Sequence, residues 1–218
     1  MEQKMKVHLV VAHPEETSFN LALHGVAIRT FENIDMNISV SNLYAENFVA
    51  TASQADTLGF PKDEYFNLAK AQRWAKKNNS FVEDINAEQQ KLLSSDMLIL
   101  QFPLWWWSYP AILKGWLDRV LSSGFAYGDG AELGQKKVMY SITTGGANNQ
   151  EELDYYQQKI AGLYQDVFGF IGWQIMPAFI AHGVQQNTQQ ERTIILKNYE
   201  KHLLEQIGIT PEASILID

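Results

Sequence analysis

Hydrophobic residues occur along this chain in short continuous runs that alternate with longer stretches of three-and-four spacing. The short runs end at proline, glycine or polar residues, which is typical of strands buried on both faces. They predict strands over 7–12, 36–43, 96–102, 138–143 and 175–181. The periodic stretches predict helices over 21–31, 85–94, 110–121, 150–168 and 189–207, with Ser18 as the first N-cap. We predict that the polar segment 44–83 is an irregular embellishment.

Strands that alternate with helices favour a parallel sheet, because parallel neighbours need long crossover connections. We therefore predict one α/β domain over residues 1–218. It is a doubly wound, five-stranded parallel sheet of flavodoxin-like order 2-1-3-4-5, with helices on both faces. Ligands bind such sheets beyond the carboxyl ends of the strands, where the strand order reverses. The loops after the first, third and fourth strands are the expected binding loops.

The loop after the first strand, residues 13–20, places hydroxyl and amide side chains at the start of a helix. Free N–H groups and the positive end of the helix dipole favour a phosphate at such a position. Alternatively, Thr17 and Ser18 only cap the helix.

The loop after the third strand contains three consecutive tryptophans, Trp105, Trp106 and Trp107. Neighbouring side chains point apart, so one core cannot bury all three rings. At least one ring must meet a ligand, solvent or a partner chain. A stacked planar ligand and a dimer interface both remain open.

The loop after the fourth strand, residues 141–147, has hydroxyl side chains followed by Gly145 and Gly146. Glycines let backbone N–H groups approach the edge of a flat ligand closely, although an ordinary tight turn also uses them. Phosphate donors, aromatic walls and close-approach glycines on one sheet edge together outline a flavin pocket.

Composition excludes several other classes of function. The 218 residues include no cysteine, which excludes thiol nucleophiles, iron–sulfur clusters and cysteine-ligated zinc. A formal net charge of −8 disfavours nucleic acid as a partner. The five histidines never fall at metal-ligand spacing, so no metal is expected. No apolar run is long enough to span a membrane, and we expect a cytoplasmic protein without membrane insertion.

Six motifs, in order along the chain, resemble the flavodoxin-like NAD(P)H:quinone oxidoreductase family of the DT-diaphorase type. They lie at residues 13–20, 84–92, 101–106, 110–116, 124–127 and 141–146. The resemblance implies a homodimeric flavoenzyme that transfers hydride by a ping-pong mechanism from NAD(P)H through flavin N5 to a quinone or another aromatic acceptor. It implies FAD, with FMN as the alternative, because Arg192 and the long 44–83 segment favour the larger cofactor.

The resemblance also implies the positions of the site residues. Cofactor-binding residues are expected at His13, Thr17, Ser18, Phe19, Asn20, Ala22, Asn67, Pro103, Leu104, Trp105, Trp106, Trp107, Thr143, Thr144, Gly145, Gly146 and Arg192. Trp107 and Tyr127 are expected to wall the substrate slot, with Tyr127 contributed by this subunit or by its partner.

The chain departs from the family after the Thr-Thr-Gly-Gly turn. Larger members carry a tyrosine and a histidine there, whereas ungapped spacing offers Glu151 and Gln157. Tyr155 and Tyr156 are near, without a histidine, and with Gly145 and Gly146 they are the candidate catalytic residues. Alternative functions are a flavin-bound regulatory subunit of a potassium efflux transporter, an FMN-dependent azo- or nitroreductase, and a one-electron carrier.

Overall fold

A computed structural model describes residues 5–146 and 149–210 of the chain. The strands are β1 (Lys6–Val11), β2 (Asn37–Asn42), β3 (Met97–Pro103), β4 (Lys137–Thr143), β5 (Gln174–Ile175) and β6 (Phe179–Ala181). The α-helices are α1 (Phe19–Asn33), α2 (Leu68–Asn78), α3 (Glu83–Ser94), α4 (Ala111–Val120), α5 (Gln150–Tyr164) and α6 (Gln189–Gln206). None of these helices is long and apolar enough to cross a membrane.

The strands form a parallel sheet of order β2-β1-β3-β4-β5, which confirms the predicted order. All seven residues of β3 are buried, as expected for a central strand covered on both faces. Alternate side chains of β3 enter two different cores. Leu98 and Leu100 pack with Trp116 of α4, whereas Met97 and Ile99 pack with the residues of α1 and α6. Helices therefore lie on both faces of the sheet.

The fifth position in the sheet differs from the prediction of one strand over 175–181. Two short segments occupy it, and both pair with β4: Ile175 lies opposite Val138, and Ile180 lies opposite Ile142. Gln174 and Met176 donate their N–H groups to the carbonyls of Lys136 and Val138, both at 2.8 Å, and the break follows at Pro177, whose ring fixes φ at about −65°. The proline interrupts the ladder, and pairing resumes only at Phe179.

The segment 44–83 is not irregular throughout, because it contains α2 and a 3-10 turn at Gln54–Asp56. Asn67 caps α2 by accepting a hydrogen bond from the N–H of Lys70 at 3.0 Å. Arg119 of α4 fastens the segment to the domain through hydrogen bonds to Asp56 at 3.0 Å and to the carbonyl of Val49 at 2.8 Å. The prediction missed α2 because its buried stripe is short and lies among charged residues.

Two other helix ends differ from the prediction. The α-helical part of α5 ends at Tyr164 and continues as a π-helical turn over Gln165–Gly169, which overlaps the end of the predicted helix 150–168. The wider turn brings Phe168 into the core, stacked on Trp173 at 5.3 Å between ring centroids. Pro110 is the N-cap of α4 and does not belong to its first turn.

The close approach of α4 to the 44–83 segment predicts the effect of one substitution. A Cβ on Gly115 would lie 1.9 Å from the carbonyl oxygen of Ala50. We expect Gly115→Ala to lower the free energy of unfolding by about 1–3 kcal/mol, because overpacking exceeds the gain of about 1 kcal/mol in helix propensity. Urea unfolding followed by circular dichroism measures this change.

Gly162 in α5 is the matched control, because a Cβ there meets no atom within 4 Å among the described residues. Gly162→Ala should stabilise the protein by up to about 1 kcal/mol. Equal stabilisation by both substitutions would contradict the close approach at Gly115.

Candidate functional site

A cavity of about 560 Å³ opens at the carboxyl ends of β1, β3 and β4. Its lining includes residues from all three loops that the sequence indicated. The predicted residues that line it are His13, Thr17, Ser18, Phe19, Asn20, Pro103, Leu104, Trp105, Trp106, Thr143, Thr144, Gly145 and Arg192. The predicted loops therefore meet at one site.

Two lining residues, Val184 and Gln185, were not predicted. They follow β6, whose carboxyl end lies at the same edge as that of β4. The N–H of Val184 donates to the carbonyl of Thr144 at 3.2 Å, and the N–H of Thr144 donates to Ala181 at 2.9 Å. The rule that pointed to the other loops also applies to the loop after the fifth strand, and applying it there would have found these residues.

The start of α1 presents hydrogen-bond donors at the cavity. Ser18 accepts a hydrogen bond from the N–H of Leu21 at 3.3 Å, which confirms it as the N-cap. The N–H and hydroxyl of Thr17 donate to the carboxylate of Glu15 at 3.0 and 2.6 Å, and these bonds lower the pKa of Glu15. The Thr17 donors are thus arranged around an anionic oxygen in the free protein.

A buried chain of polar side chains lies beneath the cavity. The amide nitrogen of Gln101 donates to the Asn20 carbonyl at 2.7 Å, and the Asn20 amide nitrogen donates to the Thr143 hydroxyl at 2.5 Å. All three side chains are buried. Asn20 uses its amide to position Thr143, and this leaves the hydroxyl proton of Thr143 for another acceptor.

The tryptophan loop has a strained backbone. Trp106 and Trp107 have φ angles of 49° and 58°, in the left-handed region that bulky residues rarely adopt. The Trp106 side chain is 96% exposed, and those of Trp105 and Trp107 are about two-fifths exposed. This confirms that no single core buries the three rings. Such strain persists only where the surrounding structure holds it in place, and it is common at ligand-binding loops.

Trp107, Tyr155 and Tyr156 form an aromatic wall beside the cavity. The ring centroids of Tyr155 and Tyr156 lie 4.9 and 4.7 Å from that of Trp107. Gly146 adjoins this wall, since a Cβ there would lie 3.6 Å from the Tyr156 hydroxyl. The wall places the candidate catalytic tyrosines next to the third tryptophan, not in the lining of the cavity.

Three predicted site residues lie elsewhere. The N–H of Ala22 is used within the first turn of α1, where it donates to Ser18 at 3.0 Å. Asn67 caps α2. Tyr127 packs against Phe170, with 5.7 Å between ring centroids, in a separate groove that Leu68 also lines. The described residues of one chain therefore do not bring these three to the cavity.

Arg192 of α6 also lines the cavity. Its guanidinium lies 6.0 Å from the centroid of the Phe19 ring and donates to the carbonyl of Val184 at 2.9 Å. Its Nε is buried and has no hydrogen-bond partner among the described residues. The site thus has an unsatisfied cationic donor. Burial lowers the pKa of His13, another lining residue, whose ring lies 6.0 Å from that of Trp105.

Known proteins are similar to this chain over most of its length. A family described by its flavodoxin-like fold matches residues 5–203. The chain is 35% identical over 209 residues to NAD(P)H dehydrogenase (quinone) 1 of Rattus norvegicus, covering 89% of this chain and 75% of that protein. It is 34% identical over 212 residues to ribosyldihydronicotinamide dehydrogenase (quinone) of Homo sapiens, covering 91% of this chain and 90% of that protein.

A solved structure is also similar. The crystal structure of a candidate quinone reductase from Klebsiella pneumoniae matches with a TM-score of 0.86 and 30% identity. The match covers 95% of this chain and 87% of that one.

The buried chain beneath the cavity predicts the effect of Asn20→Leu. This substitution leaves the Gln101 amide and the Thr143 hydroxyl without their partner, so we expect a loss of about 1–3 kcal/mol in the free energy of unfolding. Asn33→Leu, at the exposed end of the same helix, should change stability by less than about 0.5 kcal/mol. Urea unfolding compares the two variants, and equal losses would argue against the buried chain as the cause.

Proposed function

This chain belongs to the flavodoxin-like family of NAD(P)H:quinone oxidoreductases, and we propose that its cavity binds the flavin through which NAD(P)H reduces a quinone. The protein is an oxidoreductase. One observation supports this site: hydrogen-bond donors that can bind a phosphate and exposed indole rings lie in one cavity, where the strand order of the sheet reverses. This combination suits a flavin with its phosphate tail.

The residues present fit a flavin. Gly145 is informative, because a Cβ there would point into open space and the protein itself does not require glycine. That space would admit the edge of a flat ring, with the hydroxyl of Thr143 as a donor. The start of α1 would bind the phosphate, and the exposed faces of Trp105 and Trp106 would cover the ring system.

A bound flavin would supply the redox chemistry, which is hydride transfer at N5. The protein contributes binding, orientation and exclusion of water. Trp107 and the two tyrosines beside it would wall the slot that NAD(P)H and the quinone occupy in turn. Because both substrates carry flat rings, the same aromatic wall can hold each of them in turn, which is compatible with a ping-pong reaction.

We propose FAD in preference to FMN. The start of α1 accounts for one phosphate group, and Arg192 adds a donor that no protein group satisfies among the described residues. A second phosphate, as in a dinucleotide, would satisfy that donor.

We also propose a homodimer in which the partner covers the groove of Tyr127 and Phe170. The helix α2 lines this groove, and Asn67 lies at its N-terminus. Phe170 is 71% exposed in the single chain, and aromatic side chains are enriched in protein interfaces. Sedimentation velocity measures the mass in solution. The cytoplasmic location stays a prediction.

The redox assignment is tested by anaerobic titration of the purified protein. We expect the visible flavin band to bleach on addition of NADH or NADPH and to return on addition of a quinone, without an accumulating semiquinone. Absence of bleaching would reject the function. An accumulating semiquinone would instead favour a one-electron carrier.

Turnover measured with different electron acceptors distinguishes two further functions. Faster turnover with azo or nitroaromatic acceptors than with quinones would favour an azo- or nitroreductase. Slow turnover with every acceptor would favour a regulatory subunit.

The choice of cofactor predicts a selective effect of Arg192→Gln. Loss of a charged hydrogen bond should weaken FAD binding about tenfold or more, whereas FMN binding should change less than about threefold. Calorimetric titration of flavin-free protein with each cofactor measures both affinities. Arg29→Gln, at an exposed position of α1, is the control and should change neither. An equal loss for FAD and FMN would contradict the assignment of Arg192 to the adenosine half.

A further inference from the structure

A histidine lies against the turn that follows β4, although it is distant in sequence. His182 is the first residue after β6, and its Nδ1 lies 3.1 Å from the hydroxyl oxygen of Thr144. The pairing of Thr143 with Ala181 places the two segments side by side where both strands end. No histidine occurs in the sequence shortly after the turn itself. The fifth position of the sheet therefore supplies an imidazole to residues 144–146.

The hydrogen bonds of the turn determine which imidazole nitrogen carries a proton. The Thr144 hydroxyl donates to the carbonyl of Gly146 at 2.7 Å, so its single proton is already used. Its oxygen can then only accept from Nδ1, which must carry the proton. Burial lowers the pKa of His182, which favours a neutral ring with Nε2 unprotonated. His182 thus acts on the turn as an N–H donor.

The same imidazole contacts the aromatic wall. The ring of Tyr156 packs edge-on against His182, with 5.4 Å between centroids, and also packs against Trp107 at 4.7 Å. A continuous series of contacts therefore runs from Trp107 through Tyr156 and His182 to Thr144. One end of the series lies in the loop after β3, and the other lies in the loop after β4.

We propose that His182 is a positioning residue, which holds the turn of residues 144–146 and the Trp107–Tyr156 wall in one fixed relation. This proposal rests on the proposed function, in which the turn faces the flavin and the wall faces the substrate. Loss of the Nδ1 donor should therefore alter cofactor binding and substrate binding together, although His182 does not line the cavity.

The test compares two substitutions of similar shape. His182→Asn keeps an N–H donor near the position of Nδ1, whereas His182→Leu has a similar size and no donor. We expect the asparagine variant to bind flavin within about twofold of the unsubstituted protein and the leucine variant to bind it about tenfold more weakly, as for loss of one hydrogen bond. We also expect the leucine variant to raise the KM for the quinone more than it lowers kcat.

His202 provides a matched control. Its Nε2 bonds to the carbonyl of Pro177 at 3.0 Å, and burial also lowers its pKa, but it lies outside the series of contacts. His202→Leu should leave flavin affinity and KM unchanged. A double-mutant cycle of His182→Leu with Thr144→Val should be non-additive in flavin affinity, because both changes remove the same hydrogen bond.

Nitrogen-15 NMR of the imidazole gives a readout that does not depend on activity. We expect the Nδ1–H tautomer of His182 in both flavin-free and flavin-bound protein. An Nε2–H tautomer, equal affinities for the asparagine and leucine variants, or an additive cycle would each overturn the proposal. Failure of the unsubstituted protein to bind flavin would instead reject the proposed function, and the tautomer would still be measurable.

Discussion

The site depends on the buried hydrogen bonds that tie Gln101, Asn20 and Thr143 together. These residues come from β3, α1 and β4, so a single chain of side chains fixes three elements that are far apart in sequence. A buried amide that loses its partner costs about 1–3 kcal/mol, which disfavours any relative shift of the three elements. The cavity above them is therefore largely formed before a ligand arrives.

The position of Thr143, fixed by these buried hydrogen bonds, also helps the tryptophan loop to keep a strained conformation. Left-handed backbone at a bulky residue costs about 1–3 kcal/mol, and Trp106 and Trp107 both adopt it. The loop is held at its start by the bond from the N–H of Leu104 to the carbonyl of Thr143 at 2.9 Å. Packing of Trp107 against two tyrosines holds the other side. One indole ring stays exposed as a result, where a flat ligand can meet it.

Much of this arrangement could be predicted from local sequence patterns. The apolar runs predicted the strands, because a strand buried on both faces needs continuous hydrophobic residues, and the alternation of strands with helices predicted a doubly wound order. Three loops of the site followed from that order alone. The split of the fifth strand falls at Pro177, whose fixed φ a hydrophobic pattern does not show. The helix α2 was missed because its buried residues, Ala71, Gln72 and Ala75, are small or polar and lie among charged residues, so no large apolar side chains mark it.

Non-local contacts explain the residues that the sequence did not reveal. Val184 and Gln185 line the cavity, and His182 contacts Thr144 beside it, because β6 ends beside β4; this register depends on the whole sheet. The sequence that follows the Thr-Thr-Gly-Gly turn reveals only groups that are near the turn along the chain. In a parallel sheet, however, the end of each neighbouring strand is equally near in space. A side chain from the next strand can therefore lie beside one strand end, so a loop without a histidine in its own sequence can still have an imidazole against it.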